Sequence, residues 1–228
     1  TLAGGRVVSI ALPRDEDATP RLLLEPVQIG ALHGERRQAR TVVSLEEVPP
    51  ALVLAIVEVE DQRFWRHTGV DPVGMSRALF RNLRAGEVVE GGSTITQQVV
   101  KNILLTQERT WGRKAREVVM APLLELTTPK QEILHLYLNQ IYFGHGAHGI
   151  GEAARTYFGK DVRDLDVSES ALLAGLPKAP SRYSPFANPE RAEQRRRYVL
   201  GRMREDQFID EATYVAALAE VPKLAPLA

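Results

Sequence analysis

A chain of 228 residues with 44% hydrophobic and 25% charged residues is long enough for one compact core and ordinary in make-up for a globular domain. Its 29 Lys+Arg balance 29 Asp+Glu, so no global field argues for a nucleic-acid partner. The lack of cysteine excludes disulfides, thiolate metal sites and a cysteine nucleophile, and the longest apolar run, residues 51–57, falls far short of a membrane span. The cations are mostly arginine, which suits bidentate phosphate contacts but follows equally from coding bias. No signal peptide is visible and the first residue is Thr1 rather than Met, so the chain reads as a segment of a longer protein, and a missing anchor here says little about the parent.

In chain order, residues 1–43 read as a small β-strand appendage or linker. Short strands are expected at 7–12, 22–29 and 40–43, the first two separated by the polar turn 13–20. From Ser44 the pattern becomes helical, and residues 44–228 form the main domain. Pro49 and Pro50 suit the first turn of a helix running to about Val59 and ending at Glu60. A second helix is expected over 72–83, stopping near Gly86. Gly91-Gly92 break the chain, and Ser93 or Thr94 caps a third helix through about Leu104. A long helix follows over 108–126. Thr128-Pro129-Lys130-Gln131 reads as a capping box for a helix carrying Ile133, Leu134, Tyr137, Leu138 and Ile141 at helical spacing. Further helices start at Ser168, Asn188-Pro189 and Asp210. No run of alternating strands is expected after residue 44, so the fold class is mainly α.

Three clusters carry chemistry. Glu60 follows an apolar helix, so its carboxylate stands at the mouth of an apolar wall, where desolvation raises its pKa and improves it as a base. The plain alternative is a local salt bridge with Arg63 or Arg66. Beside it, Asp61 can equally be a turn or cap carboxylate, and Phe64 and His67 can equally be packing residues. The second cluster runs from Glu90 to Asn102. Its two glycines let backbone approach a ligand, the following helix N-terminus offers amides to an anion, and Gln97 and Lys101 share one polar face. In the third, Arg113 and Lys114 precede Glu117 by one turn: either a surface ladder or two cations for a diphosphate with a carboxylate that orients them. Residues 144–149 formally match a dinucleotide GxGxxG but follow a helix rather than a strand, and His145 and His148 lack companion ligands for a metal.

Taken in order, these motifs resemble glycosyltransferase family 51, the peptidoglycan glycosyltransferases. The similarity runs from about Val42 to about Ile209. It covers Glu60-Asp61-x-x-Phe64-x-x-His67-x-Gly69, Gly91 through Gln98 with Lys101-Asn102, and Arg113-Lys114-x-x-Glu117. It continues through Ile133 to Gly144, Tyr157 to Lys160, and Leu173 to Pro180. One departure is His135, where the family usually carries Glu.

The resemblance implies a lysozyme-like α fold and polymerisation of lipid II into β-1,4-linked glycan by inverting transfer, at the outer face of the bacterial inner membrane. It implies Glu60 as catalytic base and Glu117 as the second essential acid, which either orients the cations or helps hold a divalent ion (Mg or Mn). Substrate contacts are expected from Asp61, Phe64, His67, Ser93, Thr94, Gln97, Gln98, Lys101, Asn102, Arg113 and Lys114, with Lys101, Arg113 and Lys114 near the leaving diphosphate. Expected partners are lipid II, the growing lipid-linked chain and the membrane surface, with residues 75–84 as an Arg-bearing amphipathic contact. The parent is expected to carry a fused transpeptidase half, although no Ser-x-x-Lys motif occurs in this chain. Two other readings stand beside this one: a glycosidase using Glu60 and Glu117 as its carboxyl pair, and a non-enzymatic scaffold that binds the lipid substrate.

Overall fold

The computed structural model describes residues 41–86, 91–105 and 110–227, with residues 2–3 and 6–7 near the N-terminus. The chain divides into two compact units, Thr1–Arg37 and Gln38–Ala228. In the first, β1 (Leu2–Ala3) pairs antiparallel with β2 (Arg6–Val7). The strand expected at 22–29, and all of that at 7–12 except Val7, lie outside the described residues, as does Glu90.

The second unit is built of helices. At 41–43 the expected strand does not form, because a side chain takes the place of a strand partner. The Val43 amide donates to Asn139 Oδ1 (2.9 Å), and its carbonyl accepts from Asn139 Nδ2 (2.9 Å) and the His135 ring (3.1 Å). An ionised Glu at position 135 could not donate that last bond. The departure at His135 thus tethers the entering chain.

Helix α1 (Pro50–Asp61) starts at the proline pair and buries Leu52, Ala55, Ile56 and Val57. Helix α2 (Pro72–Ala85) is capped by Asp71, ends at Gly86 in the left-handed conformation (φ 71°) and buries only Ala78. Thr94 and Gln97 form a reciprocal capping box on α3 (Ile95–Val99). The chain then passes into a π turn over Val100–Leu104, not the α-helix expected there. Helix α4 (Trp111–Thr127) is capped by Thr110, and α5 (Lys130–Gln140) follows at once. The capping box expected at Thr128 is absent: Thr128 closes α4 through its amide, so Pro129 becomes the residue before α5 and offers no side-chain cap.

Contrary to the sequence reading, a small hairpin follows, β3 (Tyr142–Gly144) with β4 (Ala147–His148). Strands this short show no alternation. Helix α6 (Ile150–Phe158) was also unexpected, since Gly149-Ile150-Gly151 offers no polar cap. The helices α7 (Val167–Gly175), α8 (Pro189–Glu205) and α9 (Glu211–Ala219) start within a residue of expectation. Every residue of α7 from Ser168 onward is buried, as befits a helix packed between α1 and α8. On the other side, α3 packs on α4 and α5.

The loop after α1 meets α4 at Gly69. Its φ is +88°, and an added Cβ would lie 2.5 Å from Ala121 C and Pro122 N. Gly69→Ala is expected to cost about 2–4 kcal/mol from strain and overpacking. Urea denaturation reads this directly, and a loss below about 0.5 kcal/mol would remove the steric argument.

Candidate active site

Glu60 sits one residue from the end of α1, anchored by the buried residues before it and half-buried in the wall of a cavity of about 660 Å³. Burial pushes its carboxyl above the usual carboxylate range. A hydrogen bond from Gln98 Nε2 (3.0 Å) and the charges of Arg195 and Lys178 pull the other way, and Asp61 adds to the rise. The capping box that starts α3 fixes Gln98 opposite Glu60, and the π turn presents Lys101 to the same cavity.

Glu117 reaches the cavity from α4 and is 2% exposed. One of its oxygens accepts from Arg113 Nη1 and the other from Lys114 Nζ (2.9 Å), while Lys114 also donates to Ser93 Oγ (2.8 Å). A carboxylate engaged on both oxygens by cations orients charge; it is not set to deliver a proton. The same arrangement is a poor donor set for a resident divalent cation. Among the described residues no group of three or more His, Cys, Asp or Glu could hold one.

The cavity gathers Glu60, Ser93, Gln97, Gln98, Lys101 and Glu117, and through Glu117 brings in Arg113 and Lys114. Asp61 and Thr94 line a smaller neighbouring space of about 70 Å³. Both are engaged internally: Asp61 accepts from His67 and from the Ile95 amide (2.9 Å), and Thr94 caps α3 and donates to Gly69 O (2.6 Å). Phe64 and His67, expected to touch substrate, are buried and do not line the cavity; Asn102 is exposed on the π turn, outside its lining.

A second wall escaped the sequence reading. Arg191, Gln194, Arg195 and Tyr198 lie at i, i+3, i+4 and i+7 on α8, and with Arg81, Lys178, Arg182 and Tyr183 they supply the rest of the polar and aromatic lining. That spacing was visible but reads as an ordinary solvated face. Gly175 makes room for Arg195, since a Cβ there would fall 2.8 Å from Arg195 Cγ. The Arg195 guanidinium lies 4.8 Å from the Tyr198 ring centroid and 5.7 Å from that of Tyr183. Among the described lining residues, Arg81, Lys101, Lys178, Arg182, Arg191 and Arg195 face only two carboxylates, Glu60 and Glu117. Such a cavity suits a polyanionic ligand beside a single base.

Residues 26–204 match a family model described as transglycosylase. The chain is 51% identical over 181 residues to penicillin-binding protein 1A of Aquifex aeolicus, covering 79% of this chain and 25% of that protein. It is 46% identical over 190 residues to penicillin-binding protein 1F of Bacillus subtilis, covering 83% of this chain and 26% of that one. The chain thus spans about a quarter of the length of these relatives. The crystal structure of penicillin-binding protein 1A from Haemophilus influenzae aligns with a TM-score of 0.52 and 29% identity, over 83% of this chain and 19% of that one. The mainly α, lysozyme-like fold class agrees with this likeness.

Proposed function

Since the chain belongs to the transglycosylase family, we propose that it polymerises lipid II into β-1,4-linked glycan strands by inverting transfer, for bacterial cell-wall synthesis. The acceptor's 4-hydroxyl attacks the anomeric carbon of the growing chain while Glu60 takes its proton, and the lipid diphosphate departs. The observation that carries this reading is a desolvated base in the same cavity as a cation wall. Diphosphate is a stable leaving group, so cations that neutralise it can replace a general acid. Lys101 lines the cavity, and Arg113 and Lys114 are aligned by Glu117 for that task. The Glu117 carboxylate serves these two cations and so holds their charge toward the leaving group.

A glycosidase needs its second carboxyl as an acid or nucleophile, a role for which Glu117 is not arranged. The test is to offer labelled lipid II and finished glycan in parallel. Growth of long polymer from lipid II with finished glycan left intact is expected; cleavage of finished glycan without polymer growth would favour the hydrolase.

The proposed setting is the outer face of the inner membrane, in a longer parent with a fused transpeptidase half. Among the described residues no helix is long and apolar enough to cross a membrane. Contact is assigned instead to α2, whose Leu79, Phe80 and Leu83 are 61%, 67% and 74% exposed, with the exposed Arg84 beside them. Each such apolar side chain is worth about 1.5–3 kcal/mol when buried. Phe80→Glu and Leu83→Glu are therefore each expected to weaken partition to anionic vesicles about tenfold or more without lowering the melting temperature. Unchanged co-sedimentation would move the contact elsewhere.

A further inference from the structure

Behind the cavity, a chain of buried and half-buried polar side chains links four helices, and the proposed reaction uses none of them directly. Asp61, at the end of α1, accepts from His67 Nε2 on both oxygens (3.0 and 2.9 Å) and from the Ile95 amide at the start of α3 (2.9 Å). These partners put the ring proton of His67 on Nε2. The other ring nitrogen, Nδ1, faces Lys130 Nζ at 3.4 Å, close enough to accept from it. Lys130, the first residue of α5, also donates to Glu125 Oε1 near the end of α4 (2.7 Å) and sits 4.3 Å from the Phe64 ring centroid. The same Glu125 oxygen accepts from Thr96 Oγ1 on α3 (2.5 Å). His67 and Asp61 are 8% and 7% exposed, so these bonds form with little competition from water.

Asp61 directly follows Glu60 and fastens the end of α1 to the start of α3, the helix that carries Gln98. The same two helices are joined again where Gln98 donates to Glu60 (3.0 Å). Lys130 stands at the far end of the same chain of contacts. We infer that Lys130 is a positioning residue for the active site, seating the Glu60 carboxylate through His67 and Asp61. The inference rests on Glu60 being the base. Without the Lys130 ammonium, Nδ1 of His67 loses its donor and faces Glu125 Oε1 at 4.0 Å. The ring is then no longer held from both nitrogens, and Asp61 loses a partner of fixed orientation.

The experiment compares the wild type, Lys130→Met, Lys130→Arg, the charge-neutral double variant Glu125→Gln/Lys130→Met and Glu60→Gln, all in the full-length protein. Lys130→Met is expected to lower kcat about 10- to 100-fold with KM within about threefold, as for a misplaced catalytic group. Lys130→Arg restores most of the rate. The double variant, which leaves no buried charge unpaired, melts near the wild type yet keeps the kcat loss. Nitrogen-15 shifts of the His67 ring are expected to show protonation at Nε2 alone in the wild type and a changed pattern in Lys130→Met. Wild-type kcat in either Lys130→Met protein, or an unaltered His67 signature, overturns the inference while Glu60→Gln remains inactive. If Glu60→Gln polymerises normally, the base assignment itself falls, and the catalytic role of Lys130 falls with it.

Discussion

Glu60→Gln is expected to lower kcat for glycan growth about 10²–10⁴-fold, the range for removing a general base, with lipid substrate binding retained. The glutamine amide fills the same volume and can still pair with Gln98, so the loss reports the missing proton acceptor and not a collapsed site. A second readout is stability against pH. Burial raises the Glu60 pKa above its unfolded value. The sign follows: well below the unfolded pKa the carboxyl is neutral in both states and costs nothing, and as pH climbs through the folded value the folded state alone bears the cost of ionising it. Glu60→Gln is therefore expected to melt higher than the wild type in neutral and alkaline buffer, with the gap closing in acid. Glu58 is pushed up to about 7 by burial and its hydrogen bond with Asp206, against the pull of Arg202. It bears on both proteins alike and cancels in the difference. Equal melting temperatures at pH 8 would mean that Glu60 is not desolvated.

Lys114→Ala is expected to cost about 10²–10³-fold in kcat, as for loss of a donor aimed at developing charge. Lys114 bridges Glu117 (2.9 Å) and Ser93 (2.8 Å), so its ammonium is fixed before substrate arrives. Its side chain is 39% exposed, which keeps the stability cost of removing it small. Glu117→Gln should damage the same step by a different route, since a neutral amide cannot align two cations. Arg116, exposed on the same helix, serves as the control, and Arg116→Ala should leave the rate unchanged. A Lys114→Ala rate within twofold of wild type would contradict the leaving-group assignment.

What the sequence conveyed depended on whether the signal was local. Glu60, Gln98, Lys101 and Glu117 were legible because each sits in a short motif whose residues share a turn, and the cavity brings them together. Asp61, Phe64 and His67 lie in an equally dense motif but turn inward, and spacing alone does not tell which side of a 3₁₀ turn faces the core. The wall formed by Arg191, Arg195 and Tyr198 is remote in sequence from the base, and its role appears only once α8 packs beside α1. Lys130 read as a helix-start residue, since nothing in its neighbourhood points to His67. Likewise, five residues cannot distinguish a π turn from an α turn by periodicity, so the change of pitch that presents Lys101 was missed.

Transfer from a lipid diphosphate is proposed to be driven by one desolvated carboxylate set in a cation-lined cavity. The most direct test incubates labelled lipid II with the wild type beside Glu60→Gln, separates products by size and measures lipid binding in both. Long, lysozyme-sensitive polymer from the wild type alone, with binding in both, is the predicted result. Polymer of equal length and rate from Glu60→Gln would contradict the account.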